Sequence, residues 1–199
     1  MELKYSALSP YVRKVTITAH ELGIADRIRL VKVDTRNQPE TITSLNPVGK
    51  IPTLVTDAGA VLFDSVVICE YLTGEFGGER LLPRDGAGRY EVLTRTAFAD
   101  GMTDAALLVR HERVRDKANQ SADWIEWQLR KVFNGLDYFE ARTPKSATLD
   151  LGDIALGAAL GYMPLRVDEL AGLPRWPRLR AWYEAAAQRE SFRATAPVL

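Results

Sequence analysis

The chain has 199 residues, 46% hydrophobic and 26% charged, the balance of a folded protein of one or two domains and not of a disordered tail, a collagen-like repeat or a coiled-coil rod. Lys plus Arg (26) equals Asp plus Glu (26), so neither the basic excess of a nucleic-acid binder nor a polybasic membrane anchor is present. Cys69 is the one cysteine, which excludes an intrachain disulfide and a cysteine-based zinc site and fits a reducing compartment; residues 1–5 carry no signal-peptide run, and no stretch approaches the ~20 apolar residues of a membrane span.

The first elements alternate between strand and helix. A short strand is expected around Leu3–Tyr5. Ser9-Pro10 then opens a helix, because serine is a good N-cap and proline loses nothing at the first helical position. Val12, Val15, Ala19 and Leu22 give it one apolar face, and Gly23 stops it. Ile28–Val33 reads as a second strand, and the polar stretch Thr35–Leu45 as a short helix. Ile51–Val55 is a strand with proline near its start, Asp57-Ala58-Gly59 a turn, and Val61–Phe63 the hairpin partner. Asp64-Ser65 starts another helix, with Ile68, Cys69, Leu72 and Phe76 on one face. The order is β-α-β-α-β-β-α, in which the βαβ crossover demands a parallel pair and the hairpin adds an antiparallel edge.

Residues 77–88 hold four glycines and a proline in twelve residues, the composition of a linker. This divides the chain into residues 1–78, a linker over 79–88 and residues 89–199. Everything long in the last part has helical period. Leu93, Ala97, Gly101, Ala105 and Leu108 form a row on one long helix, and Ile125, Leu129, Val132, Leu136 and Phe139 a row on the next. Asp150-Leu151-Gly152-Asp153 opens a third: Asp150 caps, Asp153 sits three residues on, and Leu149 and Ile154 staple the entry. Leu179, Trp182, Tyr183 and Ala186 mark a fourth, and all four tryptophans (124, 127, 176 and 182) are expected to pack within the bundle. Cys69, on an apolar row, reads as a buried small hydrophobe. His20 and His111 are too few and too far apart in sequence for a metal site.

Three segments are candidates for chemistry. Ser6 to Val15 runs from strand through turn to helix with Ser9 at the mouth. Unpaired amides and a partial positive charge there suit an anion or a thiolate, and the serine proton is available to a sulfur. Taken alone, the segment reads first as an N-cap followed by a favoured first helical residue. Lys50, delivered by the Pro47-Val48-Gly49 turn, suits a carboxylate or is an exposed loop lysine. Asp64-Ser65 combines amides and a hydroxyl for a carboxylate with an acid for an ammonium, or simply caps its helix. There is no Gly-x-Ser-x-Gly elbow.

In these segments, in order and spacing, the chain resembles the cytosolic glutathione S-transferases of the serine, bacterial-like type, over nearly its whole length. The resemblance implies an α/β plus all-α fold: a thioredoxin-like, glutathione-binding N-terminal domain, then a helical domain contributing the electrophile site. It implies glutathione as co-substrate, no tightly bound cofactor or metal, and conjugation of the glutathione thiolate to electrophilic or hydrophobic small molecules. Glutathione-dependent isomerisation or dehalogenation, or ligand binding without catalysis, are the alternatives. Ser9 would donate to the glutathione sulfur, with Tyr5 and Ser6 as rival hydroxyls. Ile51, before a cis Pro52, would pair its backbone with the cysteinyl unit, Lys50 would approach the glycyl carboxylate, and Asp64 and Ser65 would hold the γ-glutamyl end. The related reductases carry cysteine at Ser9, and serine forms no mixed disulfide. A homodimer in the cytoplasm, with no nucleic acid or membrane partner, completes the expectation. The second substrate would sit against the first long helix of the bundle, near Met102, Leu107, Arg110 and His111. Arg110, His111, Arg113 and Arg115 there would favour anionic substrates, or form a solvated mixed-charge face with Glu112 and Asp116.

Overall fold

The computed structural model describes residues 1–144 and 148–197. Its first unit runs β1 (Glu2–Tyr5), α1 (Pro10–Glu21), β2 (Arg29–Lys32), α2 (Glu40–Thr43), β3 (Thr53–Val55), β4 (Val61–Leu62) and α3 (Ser65–Glu75). The sheet order is β2-β1-β3-β4, with β1 and β2 parallel and the other pairs antiparallel. This is the expected thioredoxin-like order. α1 makes the crossover that a parallel pair requires. Leu3, Val15, Leu54, Ile68, Cys69 and Leu72 are fully buried where α1 and α3 meet the sheet. β2 is shorter than Ile28–Val33 and lies at the sheet edge, where Leu30 stays 47% exposed. In Thr35–Leu45 helix is confined to the single turn of α2, anchored by the buried Ile42.

The helical part comprises α4 (Gly86–Arg113), α5 (Ala122–Ala141), α6 (Leu151–Tyr162), α7 (Pro177–Ala186) and α8 (Glu190–Arg193). α6 is small or apolar around most of its circumference and is buried at every residue, as such a helix must be. It packs against α4, α1 and α7 and so joins the two parts. Its start is the expected capping box: Asp150 accepts from Asp153 N at 3.0 Å, and Asp153 accepts from Asp150 N at 3.2 Å. Gly161 allows close approach to α1, since a Cβ there would lie 1.8 Å from Arg13 Nη1.

Three expectations need correction. The buried face of α4 is Val92, Thr96, Ala99, Met102, Thr103, Ala105, Ala106 and Val109, whereas Ala97, Gly101 and Leu108 are exposed. Two threonines hid this face; each satisfies its hydroxyl within the helix, Thr96 on Val92 O and Thr103 on Ala99 O, both at 2.9 Å. Met102 consequently faces α5 within the bundle core, against Gly135, and not a cleft. Trp176 and Trp182 pack in the bundle, but Trp124 (39%) and Trp127 (49%) are exposed, in edge-to-face contact with each other. The glycine-rich stretch after α3 is docked: Leu81 and Leu82 are buried, Leu81 O accepts from Leu151 N at 2.8 Å, and α4 already begins at Gly86.

Candidate functional site

Strand register brings the three candidate segments to one end of the sheet. Lys4 lies opposite Thr53, so the C-terminal end of β1 adjoins the start of β3. Leu54 lies opposite Leu62, so the end of β4 adjoins that same start. The loop carrying Ser9 leaves from the first, Pro52 immediately precedes the second, and Asp64 follows the third. The N-termini of α1 and α3 therefore open at the same edge as the Ile51–Pro52 bond.

Ser9 is the N-cap of α1. Its Oγ accepts from Val12 N at 3.3 Å and its own N donates to Ser6 O at 3.1 Å, while Pro10 fills the first helical position. Because the cap uses only an oxygen lone pair, the hydroxyl proton is left for another acceptor. Tyr5 is partly buried against the sheet core and Ser6 contributes its carbonyl to the turn. Ile51–Pro52 is cis, and so is Phe63–Asp64. Lys50 is exposed; its carbonyl accepts from Asn46 Nδ2 and Thr53 Oγ1, both at 3.0 Å, so the loop is held while the side chain extends. Asp64 caps α3, accepting from Val66 N at 2.8 Å, and Ser65 is buried beside it. Cys69 lies one turn further along α3, fully buried, with Thr18 Oγ1 at 3.5 Å; burial pushes its thiol up to about 11, so it is no nucleophile at neutral pH.

The wall formed by the helical part carries residues the motifs did not reveal. The Tyr11 hydroxyl, two residues beyond Ser9, donates to Asp104 of α4, and burial together with that carboxylate holds the phenol far above its ordinary range. Lys14, fully buried, pairs with Asp100 of α4 at 2.5 Å. Burial nevertheless holds the Asp100 carboxyl above its ordinary value, with Asp64 and Asp104 adding to the rise and Lys14 opposing it. Arg13 donates to Tyr183 Oη at 3.2 Å and to Phe192 O at 3.3 Å. The only sequence signal for these contacts was two cations on a helix that also had to cover a core. Of the basic residues expected along α4, Arg113 pairs with Glu169 and Arg115 with Glu112, and His111 is exposed. A cavity of about 210 Å³ flanks α1 on its β2 side, bordered by Ser6, Ser9, Thr16, His20, Leu30 and the Ala194–Ala196 segment; Lys50, Ile51 and Asp64 do not border it. Among the described residues no group of three or more His, Cys, Asp or Glu is placed to hold a metal ion, and no helix is long and apolar enough to cross a membrane.

Comparison with known proteins decides the family. Residues 8–74 match the model of the glutathione S-transferase N-terminal domain. The whole chain is similar to the uncharacterized GST-like protein YibF of Escherichia coli, 35% identical with 99% of this chain and 98% of that protein covered. The chain belongs to the glutathione S-transferase family. Among solved structures it is similar to a family member from Pseudomonas fluorescens Pf-5 with bound glutathione (TM-score 0.91, 36% identity, 100% of this chain and 99% of that one covered). The same relative with bound S-(propanoic acid)-glutathione gives a TM-score of 0.89 at 37% identity, with 100% of each chain covered.

Proposed function

We propose that the protein is a glutathione transferase that joins the glutathione thiolate to an electrophilic carbon of a small molecule, with glutathione as co-substrate. The observation that carries this reading is the convergence of Ser9, the cis Ile51–Pro52 bond and the α3 N-terminus at one edge of the sheet. The glutathione bound by the Pseudomonas relative supports it.

In this reading an extended tripeptide lies across that edge. The backbone of Ile51 pairs with the cysteinyl unit, and the Lys50 ammonium meets the glycyl carboxylate. At the other end, Ser65 and the first-turn amides of α3 receive the γ-glutamyl carboxylate, and Asp64 receives its ammonium. The cysteinyl sulfur then lies at the mouth of α1. The Ser9 proton and the positive end of α1 favour the thiolate over the thiol. The sulfur lone pair attacks the acceptor carbon, which sits against α4 in the cleft between the two parts. The helix and the cleft act together, one by supplying thiolate and the other by alignment. Family membership further supports a homodimer working in the cytoplasm, which sedimentation and fractionation would test.

Calorimetric titration with glutathione tests the site. Saturable binding by the wild-type protein that collapses in the Asp64→Ala, Ser65→Ala double variant is expected, followed by turnover in an electrophile screen. Absence of binding by the wild-type protein would overturn the transferase reading and favour a ligand carrier.

A further inference from the structure

The cavity beside α1 has no part in the glutathione reading. It measures about 210 Å³ and reaches Ser6 and Ser9 at the mouth of α1, but Lys50, Ile51 and Asp64 lie outside it. Its inner wall follows one face of α1 through Ser9, Arg13, Thr16 and His20, which recur at helical spacing. Ala25, Ile28 and Leu30 form a second wall, and Ala194–Ala196 a third. Leu30, exposed on the edge strand, therefore borders a hollow and not a flat surface.

The lining carries one sign of charge. No aspartate or glutamate borders the cavity, while Arg13 and His20 do. Arg13 is 6% exposed. Its Nη1 donates to Tyr183 Oη at 3.2 Å and its Nη2 to Phe192 O at 3.3 Å. The guanidinium lies 5.6 Å from the centre of the Phe192 ring, and Nε is buried with no hydrogen-bond partner. Among the described residues no carboxylate pairs with Arg13. Tying α1 to α7 and α8 accounts for the two Nη bonds. It does not account for a buried charge held only by neutral groups, or for the orphaned Nε. The bond to Phe192 O sets the guanidinium beside the segment that runs on into the Ala194–Ala196 wall.

Polarity is graded along the cavity. Thr16 Oγ1 donates to Arg13 O at 3.1 Å and Thr195 Oγ1 to Ser191 O at 2.7 Å, so both hydroxyl protons are spent on carbonyls. Arg13 and the serine hydroxyls are left as donors at the Ser9 end. Ala19, Ala25 and Ile28 make the other end apolar, with half-buried His20 as its polar residue. Ser9 and Ala19 stand about 15 Å apart along the helix. An apolar cavity of about 150 Å³ takes a benzene ring, so this one takes a ring with a short acid chain.

We propose that the cavity is a second ligand site, for a small monocarboxylate with an apolar or aryl body. The carboxylate lies on Arg13 and the body along Ala19, Ala25 and Ile28. No bond is made or broken there. The site goes beyond the transferase reading and does not rest on it, because the residues assigned to the two ends of glutathione lie outside the cavity.

The test follows binding of hydrocinnamate and of its neutral amide by calorimetry and by the amide chemical shifts of the labelled protein. Wild type is expected to bind the carboxylate about tenfold more tightly than the amide, equivalent to about 1.4 kcal/mol. The shifts should fall at Ala25, Ile28, Leu30 and Ala194–Ala196. The Asp64→Ala, Ser65→Ala double variant should bind hydrocinnamate as wild type does, which separates this site from that for glutathione. Ala25 is partly exposed in the short turn after α1, so Ala25→Phe fills the cavity without entering the core and should abolish binding of both probes. The preference for the carboxylate should fall to about one in Arg13→Met and be largely kept in Arg13→Lys. Because it is a ratio within one protein, lowered stability does not disguise it. Absence of binding by wild type, equal binding of the two probes, shifts confined to the edge formed by β3 and α3, or a preference unmoved in Arg13→Met would overturn the site. Should Arg13→Met not fold, Ala25→Phe decides, since binding that survives it overturns the site as well. Each of these results leaves the glutathione reading standing.

Discussion

Replacing Lys14 by Met tests the ion pair that ties α1 to α4. The Lys14 side chain is 1% exposed and its Asp100 partner 21% exposed, with 2.5 Å between Nζ and Oδ2. Methionine keeps the apolar stem and removes the charge. Breaking a buried pair by deleting one partner costs about 3–5 kcal/mol, because the other charge stays desolvated. Residual exposure of Asp100 puts the expected loss near the lower end, about 3 kcal/mol at pH 7.5, or roughly 6–12 °C in Tm for a chain of this length. The loss must depend on pH. Burial already holds the Asp100 carboxyl above its ordinary value despite Lys14, and without Lys14 it rises further. A carboxyl raised in the folded state binds more protons there than in the unfolded chain, so its penalty is absent below about pH 3.9 and grows as pH rises toward the folded value. Urea unfolding at pH 5 should therefore show a smaller deficit than at pH 7.5, and Lys14→Met with Asp100→Asn should recover most of it. A deficit under about 1 kcal/mol at pH 7.5, or one equal at both pH values, would refute the argument.

Two further predictions concern ion pairs between elements distant in sequence. Asp150→Ala removes the α6 cap and one of the two carboxylates held by Arg95, and should cost about 2 kcal/mol in urea unfolding; Asp150→Asn, which still caps, should recover about half. Glu21 is nearly buried and accepts from Arg189 at 2.9 and 3.0 Å and from Ser191 at 2.6 Å. Burial acts to raise its carboxyl, but those hydrogen bonds, with the charges of Arg189 and Arg80, outweigh it and hold the group below its ordinary value. Its contribution is therefore full above about pH 4.3 and lost as pH falls through the lower folded value. Glu21→Gln should cost about 2 kcal/mol at pH 7, and the gap to wild type should close under acid.

What could be read from the sequence was local. Ser9-Pro10 marked the start of α1, Asp150 and Asp153 the box of α6, and Asp64 the cap of α3, because a cap is a contact within three or four residues. The three candidate segments could be named for the same reason, each being the start of a helix or strand. Contacts across the chain left no such trace. Nothing local to Arg13 and Lys14 names their partners, yet both are buried on partners 170 and 86 residues away. The true face of α4 was missed because threonines that bond back to their own helix pass for solvent positions. Trp124 and Trp127 were assigned to the core by size alone, although Ile125, Leu129 and Val132 define the inward side of α5.

The central claim is that Ser9, at the mouth of α1, stabilises a glutathione thiolate. It is tested by following the ultraviolet absorbance of the thiolate in the binary complex against pH, for wild type and Ser9→Ala. A hydrogen bond to a charged sulfur is worth about 1.5–3 kcal/mol, which is roughly one to two pH units. The bound thiol of wild type should therefore titrate at least one unit below a free thiol, near ~8.5, and Ser9→Ala should move it back by about that amount while still binding glutathione. An unchanged titration in Ser9→Ala would contradict the claim.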